Sequence, residues 1–498
     1  MQRQLPALAA ALLLAGCATL GPDYAPPPPA IADGWVPPSL GSTAVAASDT
    51  PWWQAFNDPA LDALITATIA GNRDLKVAGL RVLEARAQLG IAQSTRSPQA
   101  ATASAATGYG ASAPGGQPIG KYDFLYGTAG VSAGWEIDFW GKFRRSIEAG
   151  TAGYFAAIAS QQDVALILRA EVARLYLQYR TLQERLAVVR SNIELQQRNV
   201  AITELQFREG DDAELDVQQA RTQLLTTRAA VPQLEAGMTQ TRNALALLMG
   251  RAPGDVPELA LSPDTIPATP AALPVAIASD LLRQRPDVRT AAFRAGAQSA
   301  QIGIARADLY PSLSLGGSIS LTRTTLGGLS NSVDIGIGPA IRWNILDFGR
   351  IRGNVRVQDA RLEQALENYQ QTVLKAANEV DSAAIVLVKA REEGAILADS
   401  VIAAKRSLTL ANIRYREGLS DFQRVLDAQA ALLRQQDRAI SNRGDTAIAL
   451  VALTKAVGGG WIAPTEADFA SPDTRARMQA RSNWAGQLDM PQSAGTPK

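Results

Sequence analysis

Phe207-Arg208-Glu209-Gly210 returns 208 residues later as Tyr415-Arg416-Glu417-Gly418. Other blocks recur around this pair in the same order. Trp135 and Trp343 share the spacing of 208, and Asp138-Phe139-Trp140-Gly141-Lys142 resembles Asp347-Phe348-Gly349-Arg350. Ala87-Gln88-Leu89-Gly90-Ile91-Ala92 returns as Ala300-Gln301-Ile302-Gly303-Ile304-Ala305, now at 213, and Ser97-Pro98 and Tyr310-Pro311 share that spacing. The spacing changes by five between Pro98 and Trp135, which predicts a surface loop five residues longer in the first copy. Ordered recurrence of this kind marks two tandem copies, 58–250 and 277–457.

Each copy reads helix, two strands, long helix, turn, helix. Leu168, Val172, Leu175, Tyr179, Leu182, Leu186, Val189 and Ile193 step by fours and threes, the seam of a coiled coil. Val355, Leu362, Leu366, Tyr369, Val373, Ala376, Val380, Ala384 and Leu387 form a similar stripe. The long helices are predicted over 142–208 and 350–416, each about 100 Å at 1.5 Å per residue. Gly150 and Gly153 weaken the start of the first. Shorter helices are predicted over 60–96, 212–249, 277–308 and 420–457. Each pair of short helices sums to roughly one long helix, so two of them stacked end to end beside it would make a rod. Leu313, Leu315, Gly317, Ile319 and Leu321 alternate with Ser312, Ser314, Gly316, Ser318 and Ser320. Val333, Ile335 and Ile337 alternate with Asp334, Gly336 and Gly338. One apolar and one small polar face at period two is the pattern of a transmembrane β-barrel. The first copy gives weaker strands near 100–110 and 124–139, with Gly-rich turns at 113–116 and 326–328. Four strands cannot close a barrel, and an open edge is forbidden in lipid, so the chain must assemble with copies of itself if these strands lie in a membrane; a soluble hairpin packed on helices is the alternative.

The chain has 498 residues, 48 Lys+Arg, 47 Asp+Glu, no His and one Cys. This charge balance offers no basic field for nucleic acid. Lack of histidine removes Ser-His-Asp triads, Cys-His pairs and His metal sites, and a lone cysteine removes disulfides within one chain. No catalytic residue, metal site or cofactor is predicted. Arg3, the apolar run from Ala7 to Ala15 and Leu14-Ala15-Gly16-Cys17 form a secretory signal, too short to span a bilayer. A Pro-rich tether follows, with Pro26-Pro27-Pro28-Pro29 and Pro37-Pro38. The polar stretch from Ser471 to Lys498 is expected to lack structure.

The Leu-Ala-Gly-Cys tetrad resembles a bacterial lipobox, which implies a lipid on Cys17 and removal of residues 1–16. Ala18 leans towards outer-membrane sorting. Gly21-Pro22-Asp23-Tyr24, Trp52-Trp53-Gln54-Ala55-Phe56-Asn57-Asp58-Pro59, Leu309-Tyr310-Pro311-Ser312, Trp343-Asn344-Ile345-Leu346-Asp347-Phe348-Gly349, the paired Arg-Glu-Gly turns and Leu426-Asp427-Ala428-Gln429 complete an ordered set. Together they resemble the TolC-like outer-membrane factors, in particular their lipoprotein (NodT-type) branch. The resemblance implies an α+β membrane protein. A homotrimer would form one 12-stranded outer-membrane β-barrel, four strands per chain, continuous with a long periplasmic α-helical coiled-coil barrel. It divides the chain into signal peptide (1–16), lipidated Cys and tether (17–57), repeat 1 (58–250), equatorial linker (251–276), repeat 2 (277–457) and equatorial and C-terminal tail (458–498).

By the same resemblance the chain is the passive exit duct of a tripartite efflux or export pump. A periplasmic adaptor (membrane fusion) protein would join it to an inner-membrane transporter of RND type. Arg208, Glu209, Gly210, Arg416, Glu417, Gly418, Leu419 and Ser420 would contact adaptor hairpins. Glycines also end helices for purely structural reasons. Asp427 matches the family's pore-constricting aspartate, with Gln423 and Arg424 beside it. Threefold symmetry would make it a ring of three carboxylates that favours cations. Some family members carry an acid where Arg424 stands, or a basic residue at the position of Ala430, so the charge pattern of the gate departs from theirs. Two other readings stand beside the channel. One is a structural periplasmic coiled-coil lipoprotein without a pore, which the period-two segments oppose. The other is a carboxylate-only hydrolase, for which no acidic pair stands in a recognisable cleft motif.

Overall fold

A computed structural model describes residues 19–28, 31, 35, 51–112, 122–210, 213–270, 279–325, 330–459, 469–484, 486 and 488. Cys17 and the two hairpin turns at 113–116 and 326–328 lie outside the described residues. The first copy supplies α1 (Pro59–Gly71), α2 (Arg73–Ser94), β1 (Ala100–Ser112), β2 (Tyr122–Ile137), α3 (Lys142–Glu209) and α4 (Glu214–Leu248). The second supplies α5 (Ser279–Gln284), α6 (Pro286–Ala307), β3 (Ser312–Thr324), β4 (Ser330–Arg342), α7 (Arg350–Arg416) and α8 (Gln423–Ala456). α9 (Pro472–Arg481) follows.

The long helices have 68 and 67 residues. α3 runs unbroken through Gly150 and Gly153. Gly150 lets α2 approach: a Cβ there would lie 3.3 Å from Leu89 Cδ1. The predicted seam is buried along α3 at Leu168, Val172, Leu175, Tyr179, Leu186 and Val189. α2 and α4 both lie along α3, and α6 and α8 along α7, which forms the two rods.

Two predicted helices are each broken in two. The stretch 60–96 divides at Asn72, whose Oδ1 accepts from Leu75 N at 2.8 Å and caps α2. Its Nδ2 donates to Leu248 O, the last residue of α4, at 2.8 Å. The stretch 277–308 divides at Arg285, which precedes Pro286 and is therefore extended (φ −56°, ψ 135°). Arg285 Nη1 donates to Ala456 O, the last residue of α8. Asn72 and Arg285 are 213 apart, and Leu248 and Ala456 are 208 apart, so both copies splice their short helices in the same way. Periodicity missed the breaks because the apolar stripe continues across them.

The tail differs from expectation too. α9 is capped by Ser471 Oγ, which accepts from Thr474 N. Phe469 and Leu488 are buried with Val82, Leu83 and Tyr154, and Trp484 packs beside them. A few apolar residues in a polar stretch suffice to dock it.

The four strands form one antiparallel sheet in the order β1-β2-β3-β4. Register places Ala103, Val131, Ile319 and Ile335 in one row, and Tyr109 faces Leu125. Val131, Ile319, Leu321, Val333, Ile335 and Ile337 are all exposed on that face. Thr102, Ser132 and Ser318 share the other face, where Thr102 and Ser132 hydroxyls bond at 2.8 Å. This is the lipid-out, polar-in alternation of a membrane barrel. No helix among the described residues is long and apolar enough to cross a membrane. The five extra residues divide: the β1–β2 loop spans 113–121 against 325–329, and the turn before β1 spans 95–99 against 308–311.

Candidate functional site at the helical tip

α3 ends at Gly210 (φ +88°), whose N–H donates to Gln206 O and Phe207 O. α7 ends in a Schellman turn. Gly418 (φ +72°) donates to Tyr415 O at 2.9 Å and Leu419 N to Arg414 O at 2.8 Å. Both glycines adopt the left-handed conformation that an L side chain resists. Arg208 Nε donates to Glu204 O at 3.2 Å and Arg416 Nε to Asn412 O at 3.3 Å. Each cation thus sits over the negative end of its own helix. The two turns belong to one tip. Tyr415 OH donates to Gln206 Oε1 at 3.0 Å, and the Tyr415 ring packs at a tilt against Phe422, 5.1 Å between centroids. Val200, Ala220, Leu224, Phe422, Val425 and Leu426 form the buried plug behind them.

Arg208, Glu209, Gly210, Arg416, Glu417, Gly418 and Leu419 are exposed, while Ser420 is half-buried. Gln423 Nε2 donates to Asp427 Oδ1 at 2.9 Å across one helical turn. Asp427 is exposed on α8, since Val425 and Leu426 beside it fill the plug. Arg424 and Asp427 line a groove of about 980 Å³ with Arg406, Arg414 and Asp421. Three cations and two acids therefore face one space between α7 and α8. Of the expected tip residues, Leu419, Ser420, Arg424 and Asp427 share this groove, and the two turns are linked through Tyr415 and Gln206.

A second polar centre, absent from the sequence reading, lies halfway up α3. Arg180 is fully buried. It donates to Asp264 Oδ1 (2.9 Å), Leu259 O (2.6 Å), Ser262 O (3.1 Å) and Tyr176 OH (3.1 Å). Tyr176 OH in turn donates to Asp58 Oδ2 at 2.6 Å, and Ser262 Oγ to Asp58 Oδ1 at 2.5 Å. Asp58 also caps α1. This network explains the Trp52–Pro59 block: Trp52, Trp53 and Phe56 fill the core beside it. Arg180 lies on the polar side of a seam, and only its missing counterpart, Val388 in the second copy, marked it out. Near the sheet, Arg145 donates to Leu20 O, Gly21 O and Asp23, strapping the segment behind Cys17 to the start of α3.

The outer membrane efflux protein family matches residues 64–251 and 277–459. The chain belongs to this family. It is 30% identical to "Probable outer membrane lipoprotein SilC" of Salmonella typhimurium over 92% of this chain and 99% of that protein. It is 30% identical to nodulation protein T of Rhizobium leguminosarum bv. trifolii over 90% and 96%. The solved outer-membrane channel OprN superposes with a TM-score of 0.81 at 34% identity, covering 89% of this chain and all of that one. The protein is an outer-membrane efflux channel that extends into the periplasm.

Proposed function

We propose that three copies close one 12-stranded barrel and one helical tunnel, as the exit duct of a tripartite pump. The free edges at β1 and β4 support this, because an open edge has no place in lipid. The linker 251–276 belongs to an equatorial region, since Leu259, Ser262 and Asp264 lie against the middle of α3 at Arg180. Cys17 carries the lipid, and Arg145 holds the segment behind it.

The periplasmic adaptor docks on Arg208, Glu209, Gly210, Arg416, Glu417, Gly418, Leu419 and Ser420, and an RND-type inner-membrane transporter supplies energy. Asp427, Gln423 and Arg424 form the gate. The observation that carries the gate is the Gln423–Asp427 pair on α8, with Asp427 exposed and the apolar face of the same helix packed into the tip plug. Asp427→Ala leaves that plug intact. In planar bilayers its single-channel conductance should rise several-fold over that of the unaltered channel, as expected when a charged ring is removed. Unchanged conductance would move the constriction away from Asp427.

A further inference from the structure

The register between copies is written in the register within one chain. Shifting β1 by 212 and β2 by 208 carries the first hairpin onto the second pair by pair. Ala100↔Gly134 becomes Ser312↔Arg342, and Ser112↔Tyr122 becomes Thr324↔Ser330. The two hairpins are thus the same unit with no slip. The junction between them, β2 against β3, runs from Tyr126↔Thr324 to Ile137↔Leu313. The same two shifts, applied to this junction, map β2 onto β4 and β3 back onto β1 of another copy.

We propose that β4 of one copy pairs antiparallel with β1 of the next, from Asp334↔Ser112 to Ile345↔Ala101. The proposal rests on the self-assembled barrel above and specifies how its edges meet. It places Ile337 opposite Tyr109 on the apolar face, a β-branched residue against an aromatic, and Trp343 opposite the small Ala103. On the polar face Ala340 meets Ala106, and Gly338 meets Gly108. A slip of one residue would turn every apolar side chain of one strand to the polar face.

Two further observations fit. β2 continues to Ile137, whereas its counterpart β4 stops at Arg342. Trp343, Ile345 and Leu346 then lie exposed, at 54%, 75% and 84%. Pairing with 101–103 of the next copy extends β4 to Ile345, pairs its backbone and leaves Trp343 and Ile345 on the lipid face. Trp140, directly before Gly141, stacks on Tyr310 at 4.6 Å and donates to Pro311 O. Phe348, directly before Gly349, is fully exposed. The mapped partner is Ser97-Pro98 of the next copy. The helices agree, because α3 lies against α6 and α8, while among the described residues α7 has no comparable packing against α2 or α4 of its own chain.

Disulfide cross-linking of the full lipidated protein tests this. Ala106→Cys with Ala340→Cys, and Tyr109→Cys with Ile337→Cys, are the predicted pairs. Ala106→Cys with Gly338→Cys, and Ala106→Cys with Arg342→Cys, are two-residue slips. Within one chain β1 and β4 are three strand spacings apart, about 14 Å, too far for a disulfide. Single-cysteine variants control for Cys17. On mild oxidation the predicted pairs should give covalent trimers on denaturing gels, at least about fivefold above either slip. Greater linkage in a slipped pair would overturn the register. So would no linkage in any pair while light scattering shows a trimer. A monomer by light scattering, in the unaltered protein, would instead sink the barrel on which the register rests.

Discussion

α3 and α7 are two copies of one helix, and they are buried very differently. α3 buries 23 residues in the protomer and α7 nine. The composition of the two stripes does not account for this. Leu166 is 4% exposed, and Leu374, 208 residues on, is 46% exposed; Leu177 is fully buried, and its counterpart Ile385 is 40% exposed. The aliphatic residues are present in both, but only α3 has its full set of neighbours inside the chain. A helix with an apolar face that its own chain leaves uncovered is half of an interface.

The largest way to break this comparison is a charge on the uncovered face. Leu374→Asp and Ile385→Asp should abolish the trimer in light scattering and leave the helical circular dichroism of the protomer unchanged. A trimer that survives both would mean that this face of α7 meets solvent in the assembly. Next comes the polar centre that α3 has and α7 lacks. Arg180→Ala leaves the buried carbonyls of Leu259 and Ser262 without their donor, and should cost about 2–5 kcal/mol. Val388→Ala, at the same place in α7, should cost roughly 1 kcal/mol. Thermal unfolding in detergent measures both, and equal losses would deny the Arg180 network its role.

The smallest effect sharpens the comparison through pH. Asp163 on α3 is pushed up to about 6, first by burial and then by Asp287, against the pull of Arg285 and Lys455. Gln371 stands at the corresponding place on α7. A raised carboxylate pKa means that the folded state holds its proton longer than the unfolded chain. Stability therefore falls as pH rises from about 4 through about 6. Asp163→Asn should remove that decline and raise the unfolding temperature at pH 7 by about 1–3 °C. A decline that persists in the variant would place its origin elsewhere.

Much of this was legible in the sequence, for physical reasons. The seam of α3 and the alternation of β3 and β4 are dictated by period, and the long-helix ends by glycine turns. α7 was expected over 350–416 and spans Arg350–Arg416. The tip residues were found because both copies end in the same turn. Asn72 and Arg285 were not found, since a helix break that leaves the apolar stripe in phase has no periodic signature. Arg180 was not found, because a buried cation is defined by carbonyls from the distant linker. The register of the edge strands needed the observed pairings within the chain, which fix the two shifts at 212 and 208.

The splices at Asn72 and Arg285 give each rod the mechanics of a butt joint. No peptide bond crosses from α2 to α4 or from α6 to α8 at the joint; one side-chain hydrogen bond to a terminal carbonyl does. Such a joint resists compression through end-on contact, as at Gly71 against Met249. It offers little resistance to bending. Below the joint, the alignment of α4 and α8 therefore rests on their packing along α3 and α7 and on the plug at the tip. A small rotation at the joint becomes, about 50 Å away at the far end of a 34-residue helix, a displacement as wide as a side chain.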